Sequence, residues 1–398
     1  MLTTTEALAR ILAATGTRAP ETVDLDDAAG RCLRQTVVAE RDQPPFDRVM
    51  MDGIAIAQTD VAGGQRAFPL QARQLAGEPA RSLEPGKCIE IMTGATLPHG
   101  ADCIVPVERI SVTDAVATLE EGYEAQPRQF IHPQGSDYFK GTTLLSPGRA
   151  ITPMDVAVIA AAGLARVEVS RRPVVRVVST GDELVPPGEP IAAHQVRMSN
   201  GLAIMAMLAN HGYTDCAHQH LADDRDALTR GIGALLDAAD VLVLSGGVSM
   251  GKADYVPEVL ASLGVEVVFH KVSQRPGKPM WFGTAPGGKV VFALPGNPVS
   301  ALVCCRHYVV PALDKAAGLG PAAPQFAALA EALTFEPELT CLQPVRLVSN
   351  AIGQLLAMPV RTNTSGDFAA LSGTDGYVEL AREQSRFPTG TPVRLYRW

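Results

Sequence analysis

Val241-Leu242-Val243-Leu244-Ser245-Gly246-Gly247-Val248-Ser249-Met250-Gly251 passes without a break from an apolar run into a loop of three glycines and two serines. The run reads as a strand buried on both faces, and the apolar spacing over 255–263 reads as the helix that follows it. Glycine permits a sharp turn and close backbone approach, and the N–H groups of such a loop, backed by a helix N-terminus, favour negative charge. Two readings stay open on this stretch alone. It is a tight strand-to-helix turn, or an anion cradle in which Ser245, Gly246, Gly247, Ser249 and Gly251 hold a phosphate.

The flanking sequence repeats the pattern. Residues 174–179 form another apolar run, followed by helical spacing over 199–210, a short strand near Thr214 and a helix over 225–238. Beyond the loop come strands over 265–272 and 290–294 and a helix from Ser300. Strands alternating with helices predict an α/β domain with a doubly wound parallel sheet, whose ligands lie beyond the carboxyl ends of the strands. Three polar segments fall there: Thr180-Gly181-Asp182-Glu183, the glycine loop, and Leu294-Pro295-Gly296-Asn297-Pro298.

Charged residues cluster near the same rim. Glu183, Asp223 and Asp254 each follow a strand or start a helix, where a carboxylate is as readily a cap as a ligand. Three of them beside an anion loop would repel a phosphate unless a hard cation such as magnesium lay between. Lys271, Arg275 and Lys278 carry the opposite sign. Pro276 and Pro279 stiffen their segment, which suits a phosphate or an oxyanion if it is more than a solvated loop.

At 398 residues the chain is too long for one ordinary core. Helical spacing over 3–14 and a strand-helix-turn pattern over 23–33 form a leading unit. The stretch from Arg41 to Gly135, rich in proline and glycine with short alternating runs, predicts a β-domain inserted into it. Thr152-Pro153-Met154-Asp155 then opens an alanine-rich helix. The divisions are 1–40 with 137–170 as a split leading domain, 41–136 as the inserted β-domain, 171–319 as the α/β domain, and 320–398 as a small β-barrel-like domain. A net charge of −8 without a basic tract argues against a nucleic-acid partner on electrostatic grounds. No apolar run approaches a membrane span and no basic-then-apolar leader begins the chain, so a cytoplasmic location is expected. Seven scattered cysteines without Cys-x-x-Cys spacing predict buried free thiols.

In combination these segments resemble the molybdopterin molybdenumtransferase family, the molybdenum insertases that include bacterial MoeA and the gephyrin E domain. The resemblance rests on Pro44-Pro45-Phe46-Asp47 with Met51-Asp52-Gly53, on Ile91-Met92-Thr93-Gly94-Ala95, and on Ser179-Thr180-Gly181-Asp182-Glu183-Leu184. It continues through Ser245 to Gly251 with Asp254, Pro276-Gly277-Lys278-Pro279, and Leu294-Pro295-Gly296-Asn297-Pro298-Val299-Ser300-Ala301. It covers essentially the whole chain, in order. The resemblance implies the four domains above, with a molybdopterin-binding α/β domain, and a homodimer whose cleft joins that domain to the partner's inserted domain. It implies that adenylylated molybdopterin and molybdate are converted to molybdenum cofactor and AMP, with magnesium or a similar ion. The molybdopterin adenylyltransferase and apo-molybdoenzymes are the implied protein partners.

By position, the resemblance assigns catalytic roles to Asp52, Thr93, Glu183, Asp223 and Asp254, the last three also at the metal. It assigns substrate contacts to Ser245, Gly246, Gly247, Ser249, Gly251, Lys271, Arg275, Lys278, Pro295 and Pro298. Arg346 and Ser365 fall near a C-terminal-domain Arg and Ser at the molybdate site; a surface arginine and a turn serine remain the alternative. Asp52 is open to an Asx-type turn at Met51-Asp52-Gly53. Arg48-Val49-Met50 and Ile54 depart from the family pattern around Asp52, as does Lys252 beside the glycine loop, and Arg275 replaces a frequent lysine. Other classes share the α/β domain: the enzyme that adenylylates molybdopterin, amidases acting on pyridine nucleotides, and a non-catalytic scaffold.

Overall fold

A computed structural model of the chain describes residues 1–247 and 255–398; Ser249, Gly251, Lys252 and Asp254 lie outside the described residues. Contacts divide the chain into two compact units, one of residues 1–34, 148–152 and 167–398, the other of 35–147 and 153–166.

The first unit is built on a six-stranded sheet. Its strands are β1 (Val175–Thr180), β2 (Cys216–Leu221), β3 (Val241–Ser245), β4 (Glu266–His270), β5 (Trp281–Ala285) and β6 (Lys289–Leu294). They lie in the order β2-β1-β3-β6-β5-β4. The first four are mutually parallel, whereas β5 runs antiparallel to both β6 and β4. The expected all-parallel sheet is corrected at this edge. Only Pro286-Gly287-Gly288 separate β5 from β6, and so short a link can join antiparallel neighbours but not a parallel crossover.

Alternate strand residues face two separate cores, which is why these strands read as continuous apolar runs. Val177, Val243 and Phe292 pack with Ile204 and Leu208 of α1 (Asn200–Asn210) and with Ala301 and Cys304 of a later helix. Val178, Leu244 and Val291 pack with Leu228, Ile232 and Leu236 of α2 (Arg225–Ala238) and with Val259 and Leu260 of α3 (Val256–Ser262). The chain passes from β1 to β2 on one side and then to β3 on the other. That reversal opens a crevice above β1 and β3.

The helix Thr4–Ala14 starts with a capping box between Thr3 and Glu6 and buries Ala7 and Ile11 in the first of these cores. Residues assigned from sequence to a split leading domain therefore group by contacts with the α/β region. After β6 comes α4 (Pro298–Cys304), continued by a π-helical turn, Cys305–Val309. Strands β7 (Gln325–Leu329), β8 (Thr340–Ser349), β9 (Leu355–Pro359), β10 (Gly376–Leu380) and β11 (Pro392–Arg397) close as β8-β9-β7-β11-β10 and back to β8. This is a five-stranded barrel around Leu329, Val345, Ala357 and Val378.

The second unit holds a six-stranded sheet of short strands around Ile54, Ile56, Phe68 and Val105. The helix Pro153–Ala161 belongs to the same unit, with proline at its first position. All seven cysteines are free, and all but Cys216 are buried. Among the described residues no helix is long and apolar enough to cross a membrane.

Candidate functional site

The carboxyl ends of β1, β3 and β6 surround a cavity of about 390 Å³, at the crevice that the strand order creates. Thr180 and Glu183 line it after β1, Ser245 and Gly246 after β3, and Gly296, Asn297 and Pro298 after β6. Asn200, at the start of α1, ties two of these loops together. Its Nδ2 donates to Ser245 Oγ at 2.9 Å and to the Gly296 carbonyl at 2.8 Å. Thr180 is only 4% exposed, and its hydroxyl has no hydrogen-bond partner among the described residues. Gly246 has φ +100°, and a Cβ there would meet the Thr180 carbonyl at 2.8 Å, so close approach of the two loops requires glycine.

Acidic residues gather beside this cavity. The Asp223 N–H donates to Asp182 Oδ1 at 3.1 Å, and His220 Nε2–H donates to the Gly181 carbonyl at 2.9 Å. Partial desolvation raises the Asp223 carboxyl above its ordinary value, and the charges of Asp182 and Glu183 raise it further. Crowded carboxylates of this kind are relieved by a cation. Among the described residues no group of three or more His, Cys, Asp or Glu is arranged to hold a metal ion, and Asp254 lies outside them.

A second cavity, of about 550 Å³, lies between the 274–279 loop, the start of α4 and the barrel. Arg275 and Lys278 of that loop line it together with Arg361, Thr364 and Ser365. No Asp or Glu is among the lining residues, and none of the three cations has an ion-pair partner among the described residues. Asn297 lines both cavities; although it occupies the N-cap of α4, its side chain makes no capping bond.

The cationic loop rests on a buried polar platform. Gln274 is fully buried; its Nε2 donates to the Pro276 carbonyl at 3.0 Å and to Cys304 Sγ at 3.4 Å, while its Oε1 accepts from the Tyr308 hydroxyl. Gly277, at φ +87°, sits directly over Cys304 Sγ where no Cβ fits. Gln274 and Arg275 also pair in parallel with Thr340 and Cys341 of β8.

The residues singled out from sequence distribute as follows. Glu183, Ser245, Gly246 and Pro298 line the first cavity with Asp223 adjacent; Arg275, Lys278, Pro295 and Ser365 line the second. Gly247, Lys271 and Arg346 line neither. Asp52 and Thr93 belong to the second unit and meet each other: the Thr93 N–H and hydroxyl both donate to Asp52 Oδ1, each at 2.7 Å. That bond reaches 41 residues along the chain, so the Asp52 side chain does more than close its own turn. These two bonds hold the Asp52 carboxyl below its ordinary value. Sequence reading missed Asn200, Asn297 and Arg361. Asn297 stands inside a quoted motif, Asn200 only opens a helix, and Arg361 carries no local signal.

Comparison with known proteins covers nearly the whole chain. Profiles described as the MoeA N-terminal region (domain I and II), a probable molybdopterin binding domain and the MoeA C-terminal region (domain IV) match residues 2–163, 176–315 and 327–398. The chain is 38% identical over 379 residues to the molybdopterin molybdenumtransferase of Synechocystis sp., covering 95% of each. It is 30% identical over 388 residues to that of Bacillus subtilis, covering 94% of this chain and 89% of the relative. A solved structure of the molybdopterin biosynthesis MoeA protein from Pyrococcus horikoshii superposes with a TM-score of 0.82 at 28% identity, covering 100% of this chain and 99% of that one.

Proposed function

This chain belongs to the MoeA family of molybdopterin molybdenumtransferases, and on that premise we propose that it inserts molybdenum from molybdate into adenylylated molybdopterin, giving molybdenum cofactor and AMP. The observation that carries the substrate chemistry is the acid-free cavity with three unpaired cations, joined through Asn297 to the cavity at the sheet rim. An oxyanion suits the acid-free cavity and a pterin phosphate the cavity at the sheet rim, with the bond to be broken near their junction.

In this reading Arg275 and Lys278 hold molybdate, and Ser365 and Pro295 complete the wall. Ser245, Gly246, Gly247, Ser249, Gly251 and Pro298 cradle the pterin phosphate, Lys271 adds charge nearby, and Arg346 acts only at longer range. Glu183, Asp223 and Asp254 would hold magnesium, a hard cation matched to oxygen donors, and the raised Asp223 carboxyl supports that donor set. When bound, the ion would offset charge on the breaking phosphoanhydride. Asp52 and Thr93 act in catalysis from the inserted domain of a homodimer. A cytoplasmic location, and exchange with the adenylyltransferase and apo-molybdoenzymes, belong to the same proposal.

Purified protein given adenylylated molybdopterin, magnesium and molybdate is expected to release AMP in proportion to the cofactor formed. Asp223→Asn and Asp254→Asn are expected to slow release by about a hundredfold or more, the scale of lost transition-state charge stabilisation. Variants as fast as wild type would remove both carboxylates from the mechanism.

A further inference from the structure

Cations that share a cavity repel one another, and each one added raises that repulsion unless an anion sits among them. The second cavity places Arg361 with Arg275 and Lys278 and lines none of its wall with a carboxylate. The backbone next to Arg361 is anchored on both sides. The Val360 N–H donates to the Pro344 carbonyl at 2.9 Å, and Gln343 Nε2 donates to the Val360 carbonyl at 2.7 Å. Four residues on, the Ser365 carbonyl accepts from the Val299 N–H at 3.1 Å, fastening this segment to the first turn of α4. The anchored backbone holds the base of the exposed Arg361 side chain beside the cavity, so an arriving anion has only side-chain freedom to restrict. A guanidinium also presents paired donors to two oxygens at once, whereas the Lys278 ammonium acts as a point charge.

We propose that Arg361 binds molybdate directly through its guanidinium, alongside Arg275 and Lys278; this rests on the insertase reading above. Arg346 is the wrong arginine for that task. It sits on β8 opposite Met358, near Gly373, away from the lining of either cavity.

The test is calorimetric titration of the full chain with sodium molybdate alone, followed by AMP-release kinetics with both substrates varied. Arg361→Ala is expected to weaken molybdate binding by about tenfold to a hundredfold, the range for losing a charge-assisted hydrogen bond. It is expected to raise the half-saturating molybdate concentration by a similar factor while leaving that of the pterin, and the melting temperature, unchanged. Arg361→Lys should recover part of the affinity and Arg361→Gln should not. Wild-type molybdate affinity in Arg361→Ala overturns the proposal, and so does an equal loss for pterin and molybdate. Molybdate binding that depends on Arg361 without AMP release by the wild type would instead overturn the insertase reading, so the two failures are distinct.

Discussion

Asp52 accepts two hydrogen bonds at a single carboxylate oxygen, one from the backbone and one from the hydroxyl of Thr93. A carboxylate bonded in its charged form gives up its charge less readily, so this contact is fully present above the ordinary carboxylate range and fades as pH falls through the lowered value. Thr93→Val removes the hydroxyl and leaves the N–H. The Asp52 carboxyl is then expected to titrate higher, part of the way back to its ordinary value, in an NMR pH titration; an unmoved value would mean that the hydroxyl contributes nothing. Asp52 and Thr93 were both legible in the sequence because each stands in a motif. Arg361 was not, since its neighbours Val360 and Thr362 give no pattern and its role appears only when a barrel loop meets the 274–279 loop.

Helices with a single buried stripe were the most legible elements. Leu228, Ile232 and Leu236 repeat every four residues, and Asp224 caps their helix by accepting from the Ala227 N–H, so its bounds follow from sequence. The antiparallel strand β5 escaped notice because prolines and glycines bracket it, and the π-helical turn after α4 has no signature at all. That turn matters because it carries Tyr308, whose hydroxyl serves buried Gln274 beneath the cationic loop. Tyr308→Phe leaves Gln274 Oε1 buried without that donor and is expected to cost about 1–3 kcal/mol in denaturant unfolding. Adding Gln274→Met removes the orphaned group and should restore much of that loss. A double variant as unstable as the two single losses summed would mean that the pair is not coupled.

The same turn holds His307, 2% exposed, with Nδ1 2.9 Å from the Tyr377 hydroxyl and its ring against Tyr308 and Tyr396. Burial pushes its pKa down from 6.5 to about 4, so the folded chain takes up a proton less readily than the unfolded chain. Stability from this residue is therefore complete above pH 6.5 and lost as pH falls toward 4, on the order of 3 kcal/mol in total. Urea unfolding between pH 7 and pH 4.5 is expected to show a shallower pH dependence for His307→Phe than for wild type. Equal slopes would place the acid sensitivity elsewhere.

At the scale of the whole molecule, the two cavities depend on segments far apart in sequence. Alternating strand and helix patterns revealed the sheet, and the sheet alone located the rim where Glu183, Ser245 and Pro298 meet. The cationic cavity needed more: β8 must pair with Gln274 and Arg275, and the barrel must close, before Arg361 and Lys278 line one shared space. Pairing of that range leaves no local trace in composition or periodicity. The most direct measurement is a crystal of the full chain soaked with molybdate and recorded at the molybdenum absorption edge. The expected result is an anomalous peak in the cavity lined by Arg275, Lys278 and Arg361. A peak at any other place, or none at a molybdate concentration that saturates AMP release, would contradict the assignment of that cavity.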